Sequence, residues 1–210
     1  MTDERIVSTP HGEARIMAHR ARRPVATLAL GHGAGGGIEA GDLVALAARL
    51  PKQDINVFLI EQPWRRAGKK LAPAPKILDE AWIAIIGQLR IRTPLVLGGR
   101  SAGARVACRT ASQLGGSGVL ALSFPLHPPG KPDKSRVDEL KGAGLPTLVV
   151  QGERDPFGTP EEFPPLTEMA VVPDADHAFK VPKRAELSQD ESFELLVEAV
   201  FEWVSREVSG

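Results

Sequence analysis

The stretch Leu95-Val96-Leu97-Gly98-Gly99-Arg100-Ser101-Ala102-Gly103 joins a short apolar run to a Gly-x-Ser-x-Gly pattern. The apolar run predicts a buried strand. A serine in the sharp turn between a strand and a helix needs glycine two positions to either side, because side chains there would block the neighbouring backbone. The helix that begins at the turn points unpaired N–H groups and its positive end towards the serine oxygen. The stretch therefore predicts an exposed nucleophile at Ser101, although a glycine-rich turn with a surface serine has the same composition.

Outside this stretch, short apolar runs alternate with segments of helical spacing. Nearly continuous apolar runs are typical of strands buried on both faces, and they occupy residues 25–30, 55–60, 94–97, 119–124, 147–150 and 170–172. Residues 5–8 and 14–19 flank the turn residues 9–12 and predict an antiparallel hairpin. Helical stripes cover residues 43–50 (ended by Pro51), 78–89, 101–114 and, after a capping box at Ser188 and Glu191, 193–204, with one short helix near 136–140.

This alternation predicts a single α/β domain over residues 1–210. It has a mostly parallel central sheet, an antiparallel N-terminal hairpin and helices on both faces. In such sheets, ligands bind at the carboxyl ends of the strands. We therefore expect the chemistry in the loops that follow the apolar runs. Residues 125–146 have room for one short helix, so we expect no cap domain over that edge.

Composition excludes several classes of protein. Lys plus Arg and Asp plus Glu are 26 each, and a net charge of zero argues against a protein built to bind nucleic acid or an anionic membrane. The single cysteine, Cys108, allows no internal disulfide, suits a reducing cytoplasm and is expected to be a packing residue. No Cys/His cluster has zinc spacing, no run approaches membrane-spanning length, and residues 1–5 are no secretory signal. We expect a cytoplasmic protein without metal or cofactor; its oligomeric state stays open.

The glycine-rich segment 31–37, Gly-His-Gly-Ala-Gly-Gly-Gly, follows an apolar run. Glycines let backbone N–H groups turn towards a ligand without a side chain in the way. Beside a serine nucleophile, such a loop supplies one N–H of an oxyanion hole, here from Ala34 or Gly33. The second N–H would come from Ala102, the residue after the nucleophile.

The loop has three other possible interpretations. A phosphate-binding P-loop needs Lys-Ser or Lys-Thr after the glycines, and Ile38-Glu39 stands there instead. Gly31, Gly33 and Gly36 match a dinucleotide fingerprint, with Glu61 as its acidic residue, but that interpretation explains neither Ser101 nor a histidine further along the chain. A merely flexible loop is the third.

Two further strand ends carry candidate catalytic groups. Asp155 begins a Pro/Gly turn after residues 147–150, where a carboxylate can orient an imidazole; a turn-forming Asp is the alternative, with Glu153 as the reserve acid. His177 follows residues 170–172 and is the candidate base, the alternative being a surface histidine. His127 also follows a strand, but it precedes the acid. The remaining histidines fit less well: His11 and His19 lie in the hairpin, and His32 is expected to shape the glycine loop.

The order Ser101, Asp155, His177 is the order of the α/β hydrolases. With the segments 31–35, 98–103, 124–130, 151–158 and 176–177, the chain resembles that superfamily over nearly its whole length, and specifically its compact dienelactone-hydrolase-like members. The same segments are similar to a branch that includes a testis-expressed protein and a subunit of a histone acetyltransferase complex. Dienelactone hydrolases proper use a cysteine nucleophile where this chain has Ser101, so their substrate is not carried over.

The resemblance implies a serine hydrolase that cleaves small acyl esters or thioesters through an acyl-enzyme, without cofactor. The alternative is a non-catalytic interaction protein that kept the fold. Candidate substrate-binding residues are His32, Arg100, Trp64 and His127. Four cations in residues 64–70 follow a strand end; they either steer an anionic substrate or form a solvated loop.

Overall fold

One sheet of eight strands organises residues 2–208, the part of the chain that this computed structural model describes. The spatial order of the strands is β1-β2-β4-β3-β5-β6-β7-β8. Their bounds are Thr2–Thr9 (β1), Gly12–His19 (β2), Ala26–Gly31 (β3), Ile55–Glu61 (β4), Leu95–Arg100 (β5), Gly118–Leu122 (β6), Thr147–Gly152 (β7) and Met169–Val172 (β8). β1 pairs with β2, and β2 with β4, in antiparallel fashion; every other pair is parallel. The predicted fold class is confirmed.

Helices cover both faces of the sheet. They are Gly41–Arg49 (α1), Pro63–Arg66 (α2), Pro75–Ile86 (α3), Ala102–Thr110 (α4), Val137–Lys141 (α5) and Gln189–Glu207 (α6). α1 and α6 pack on one face, where Leu28 and Leu30 of β3 point. The stripes of α3 and α4 pack on the other face, where the intervening Ala29 points. Alternate residues of a buried strand thus serve two separate cores, which explains the continuous apolar runs.

Some element bounds differ from the sequence-based expectation. Pro51 does not end the first helical segment: a 3-10 turn over Leu50–Gln53 continues it, because proline fits the first position of a helical turn, and left-handed Asp54 ends it. β5 runs on to Arg100, since pairing with strands on both sides outweighs the low strand propensity of Gly98 and Gly99. α4 ends earlier than predicted, at Thr110, with only turns beyond it.

The segment between β6 and β7 carries only the short helix α5, as expected, and residues 2–208 contain no cap domain. Across those residues, no helix combines the length and apolar character needed to cross a membrane. Cys108 is buried in α4, and burial raises the pKa of its thiol to about 12, so it packs as the sequence predicted.

Candidate active site

The backbone at Ser101 is a strained turn between β5 and α4. Its φ is +52°, a conformation that side-chain-bearing residues rarely adopt. The Ser101 N–H donates a 2.9 Å hydrogen bond to the carbonyl of Leu122 at the end of β6. A Cβ at Gly99 would lie 2.3 Å from the carbonyl oxygen of Gly31, and one at Gly103 would lie 2.5 Å from the same oxygen. The two glycines of the pattern are therefore needed because β3 passes directly beneath the turn.

Three side chains that are distant in the sequence lie in hydrogen-bond contact at the carboxyl edge of the sheet. His177 Nε2 is 2.9 Å from Ser101 Oγ, and His177 Nδ1 is 2.7 Å from Asp155 Oδ2. They follow β5, β7 and β8, respectively. The Asp155 side chain is fully buried, whereas that of His177 is 19% exposed. This is the geometry in which an imidazole can take a proton from a hydroxyl while a carboxylate holds its other nitrogen.

Asp155 is held by donors that the sequence analysis did not identify. Gln151 Nε2 donates to Oδ2 at 2.9 Å, and the backbone N–H of Phe157 donates to Oδ1 at 2.8 Å. The same amide of Gln151 also donates to the carbonyl of Gly158 at 2.8 Å. The Phe157 ring stacks on the imidazole of His177 with 4.1 Å between centroids. Gln151 is the fifth residue of β7, and the segment 151–158 carried the family resemblance without giving it a role. A polar residue that continues an apolar run, four positions before the acid, was the available signal.

The reserve acid and the competing base lie elsewhere. Glu153 accepts a hydrogen bond from the N–H of Asp174 and has no contact with an imidazole in the described residues. His127 Nε2 is 2.9 Å from Glu162 Oε1, and its Nδ1 is 3.0 Å from the carbonyl of Pro128. The acid and base that meet Ser101 are thus Asp155 and His177.

His32 shapes the glycine loop from inside. It is buried, and its Nε2 accepts the backbone N–H of Gln62 at 3.1 Å. The proton of the neutral ring therefore sits on Nδ1, which donates to the carbonyl of Gly33 at 2.8 Å. Burial lowers the pKa of His32 below its usual value, which keeps this tautomer neutral. The imidazole thus fixes the direction of the Gly33 carbonyl.

The two backbone N–H groups predicted for an oxyanion hole, those of Ala34 and Ala102, belong to segments that lie next to Ser101. In a trans peptide the N–H lies opposite the carbonyl, so the N–H of Ala34 points away from the buried ring of His32. Gly33 lies against the nucleophile: a Cβ placed on it would be 3.4 Å from Ser101 Cβ. Ala102 begins α4, and the first N–H groups of a helix have no intrahelical partner.

The other candidate substrate-binding residues have contacts within the protein. Trp64 is buried, with its ring 5.5 Å from that of His32. Together with Ala102 and Gly103, it lines a cavity of about 10 Å³, enough for one water molecule. A larger cavity of about 600 Å³ lies at the start of β7 and β8, at the opposite edge of the sheet from Ser101.

Two of the four cations in residues 64–70 are paired. Arg65 lies 3.5 Å from Glu39, and Arg66 lies 3.3 Å from Glu13. Both pairs are exposed, so they contribute little to stability, and they reduce the positive field of this segment. Steering of an anionic substrate stays a prediction.

Arg100 points inward rather than to solvent. Its Nη2 donates to the carbonyl of His177 at 2.7 Å, and its Nε is 3.4 Å from Oδ2 of Asp42. Asp42 lies in the first turn of α1 and was not identified from the sequence, where it resembled an ordinary acidic residue at a helix start. Within residues 2–208, no group of three or more His, Cys, Asp or Glu side chains is arranged to hold a metal ion.

Comparisons with known proteins establish the family of the chain. Residues 24–205 match the model of the alpha/beta hydrolase domain family, so the chain belongs to the alpha/beta hydrolases. The finer branch suggested by the sequence stays a prediction. No curated protein sequence matches the chain.

Solved structures share the fold at low sequence identity. A serine hydrolase without lid from Xanthomonas campestris is 17% identical with a TM-score of 0.73, covering 96% of this chain and 94% of that one. A dienelactone hydrolase from Anabaena variabilis is 16% identical with a TM-score of 0.75, covering 99% and 98%. Est1E from Butyrivibrio proteoclasticus is 12% identical with a TM-score of 0.71, covering 97% and 99%. At these identities the likeness establishes the fold.

Proposed function

We propose that the protein is a serine hydrolase that cleaves small acyl esters or thioesters through a covalent acyl-enzyme. The observation that carries the proposal is the hydrogen-bonded chain from Ser101 Oγ through His177 to the buried carboxylate of Asp155. A fold alone needs neither the strained φ of Ser101 nor a buried carboxylate aligned on an imidazole. Both features are explained if the hydroxyl has to become a nucleophile.

The reaction follows from the contacts. His177 Nε2 takes the proton of Ser101 Oγ as the oxygen attacks the acyl carbonyl, and Asp155 stabilises the imidazolium that forms. The imidazolium then gives this proton to the leaving alkoxide or thiolate, which leaves the acyl group on Ser101. A water molecule, deprotonated by His177, attacks the acyl-enzyme; the bond from the acyl carbon to Ser101 Oγ then breaks, the imidazolium returns its proton to that oxygen, and the acid is released.

The N–H groups of Ala34 and Ala102 are the proposed donors to the oxyanion. We favour Ala34 over Gly33 because the bond from His32 to the Gly33 carbonyl turns the next N–H away from the ring. Each well-placed donor contributes roughly 3–4 kcal/mol to stabilising the transition state. Since this stabilisation comes from backbone groups and the triad, the proposed reaction requires no metal or organic cofactor.

The preference for small substrates rests on the open edge of the sheet. The chain has only α5 where larger relatives of this kind could carry a cap, so a bulky lipid would leave much of its apolar surface in water. The single buried cysteine suits a cytoplasmic location.

A fluorophosphonate probe tests the proposal. We expect the wild-type protein and the Ser112→Ala variant to be labelled, since Ser112 is an exposed serine beyond α4. The Ser101→Ala variant should not be labelled, and its hydrolysis of 4-nitrophenyl acetate should fall about 10³-fold or more. If the folded wild-type protein were neither labelled nor active, the non-catalytic interpretation would stand instead.

A further inference from the structure

Arg100 joins the two loops that carry the nucleophile and the base. It precedes Ser101 directly, so its main chain moves with the turn. Its guanidinium donates to the carbonyl of His177, 77 residues away in the sequence. The side chain is only 12% exposed, and Nη1 lies near Gly33, 3.8 Å from where a Cβ would stand. One cation thus joins the turn of Ser101 to the loop of His177 and lies beside the glycine loop.

Asp42 is the partner that holds this cation in place. Its side chain is 1% exposed, and Oδ2 lies 3.4 Å from Arg100 Nε. The contact is an ion pair without hydrogen-bond geometry, because neither Arg100 Nε nor either carboxylate oxygen of Asp42 has a hydrogen-bond partner among the described residues. Burial raises the pKa of Asp42, and the charge of Arg100 opposes that rise. Buried ion pairs of this kind contribute little net stability compared with apolar residues of the same size. The ion pair between Arg100 and Asp42 therefore matters for where it holds the guanidinium rather than for the stability that it adds.

We propose that Arg100, anchored by Asp42, is a positioning residue that fixes the main chain of His177 relative to Ser101. The rate of such a reaction depends strongly on the position of the base, because a shift of about 1 Å can lower a rate 10²-fold. Local bonds order the loop of His177 itself: Asp176 accepts from the N–H groups of Ala178 and Lys180. The bond from Arg100 links this ordered loop to the turn at Ser101. The inference rests on the proposed function.

The test compares Arg100→Met with a matched control, Arg109→Met. Arg109 lies on the same helix as Ala102, and its side chain, 20% exposed, forms ion pairs with Asp79 at 2.6 Å and Glu139 at 2.8 Å rather than with the loop of His177. The double variant Asp42→Asn/Arg100→Met removes both charges, so it leaves no unpaired buried carboxylate. Two properties are measured: kcat and KM for 4-nitrophenyl acetate, and the downfield NMR resonance of the His177 Nδ1 proton in its bond to Asp155.

Both Arg100 variants should show kcat lowered about 30- to 100-fold, KM changed less than about threefold, and a weakened or exchange-broadened Nδ1 resonance. Arg109→Met should lose thermal stability and keep kcat and the resonance. Wild-type kinetics and resonance in the double variant would overturn the inference, as would equal loss of kcat in Arg109→Met. The resonance requires no turnover: its presence in an inactive wild-type protein and its loss in the double variant would reject the proposed function while supporting the positioning role.

Discussion

The variant Asp155→Asn tests whether the buried carboxylate orients His177 and stabilises the imidazolium. Three donors converge on it: His177 Nδ1 and Gln151 Nε2 on Oδ2, and the N–H of Phe157 on Oδ1. Asparagine has one acceptor oxygen, so it cannot satisfy all three. If its oxygen faces Phe157, its NH₂ group opposes Gln151 and forces His177 into the wrong tautomer. If the oxygen faces His177, the NH₂ group opposes the N–H of Phe157.

The structure sets the size of the effect. Either orientation leaves a buried donor unsatisfied, which costs about 1–3 kcal/mol of stability. For a chain of this length that lowers Tm by about 2–4 °C per kcal/mol. Gln151 cannot relieve the conflict by rotating its amide, because its Nε2 also donates to the carbonyl of Gly158. Both orientations remove the charge that stabilises the imidazolium. We therefore expect kcat to fall about 10⁴-fold, or roughly 5.5 kcal/mol of transition-state stabilisation.

The assay pairs hydrolysis of 4-nitrophenyl acetate with thermal unfolding. Glu153→Gln is the control, since Glu153 is exposed, lies two residues from Asp155 and bonds only the N–H of Asp174 among the described contacts. We expect the control to keep wild-type kcat. An Asp155→Asn variant with more than about a tenth of wild-type kcat would refute the assigned role, because the loss expected is far larger. Equal losses in the two variants would point to Glu153 as the acid.

Two further predictions concern the surroundings of the site. In Gly99→Ala the new methyl group would lie 2.3 Å from the Gly31 carbonyl oxygen, and alanine would have to adopt a φ of +152°. We therefore expect the free energy of unfolding, measured by chemical denaturation, to fall by about 3 kcal/mol or more. The control Gly35→Ala, with no atom within 4 Å of its Cβ, should unfold like the wild type. The pKa of His127 is raised, first by its hydrogen bond to the Pro128 carbonyl and then by Glu162. Protonated His127 therefore stabilises the folded protein fully below the pKa that it has in the unfolded chain, and this contribution is lost as pH rises through the pKa of the folded state. His127→Gln should therefore lower Tm more at about pH 5.5 than at about pH 9, and an equal decrease at both would contradict this.

The sequence predicted the fold because its signals were local and agreed with one another. Continuous apolar runs gave the buried strands, and Ser188 with Glu191 gave the start of α6, where both capping bonds are present. The positions of Ser101, Asp155 and His177 followed from a rule about strand ends rather than from any contact. Such a rule predicts only that residues lie at the same edge of a sheet. Here that prediction was sufficient to select three side chains that lie in contact.

What the sequence did not predict depends on contacts between distant segments. Gln151 and Asp42 sit inside ordinary elements, a strand and a first helical turn, where a polar residue carries no distinctive pattern. The inward direction of Arg100 is equally invisible, because an arginine beside a nucleophile can face the substrate or the protein with the same spacing. Only the fold, by placing Asp42 of α1 beside Arg100 at the end of β5, decides between these directions.

The two motifs of the site form one structural unit. Gly99 and Gly103, on either side of the nucleophile, both approach the carbonyl oxygen of Gly31. Gly31 ends β3 and begins the loop that offers the N–H of Ala34. A shift of the turn at Ser101 must therefore move the glycine loop as well, since no side chain lies between the two backbones to absorb it. Direct backbone contact thus sets the distance between Ser101 and the proposed oxyanion donor in the glycine loop, which explains why glycine is required at residues 99 and 103.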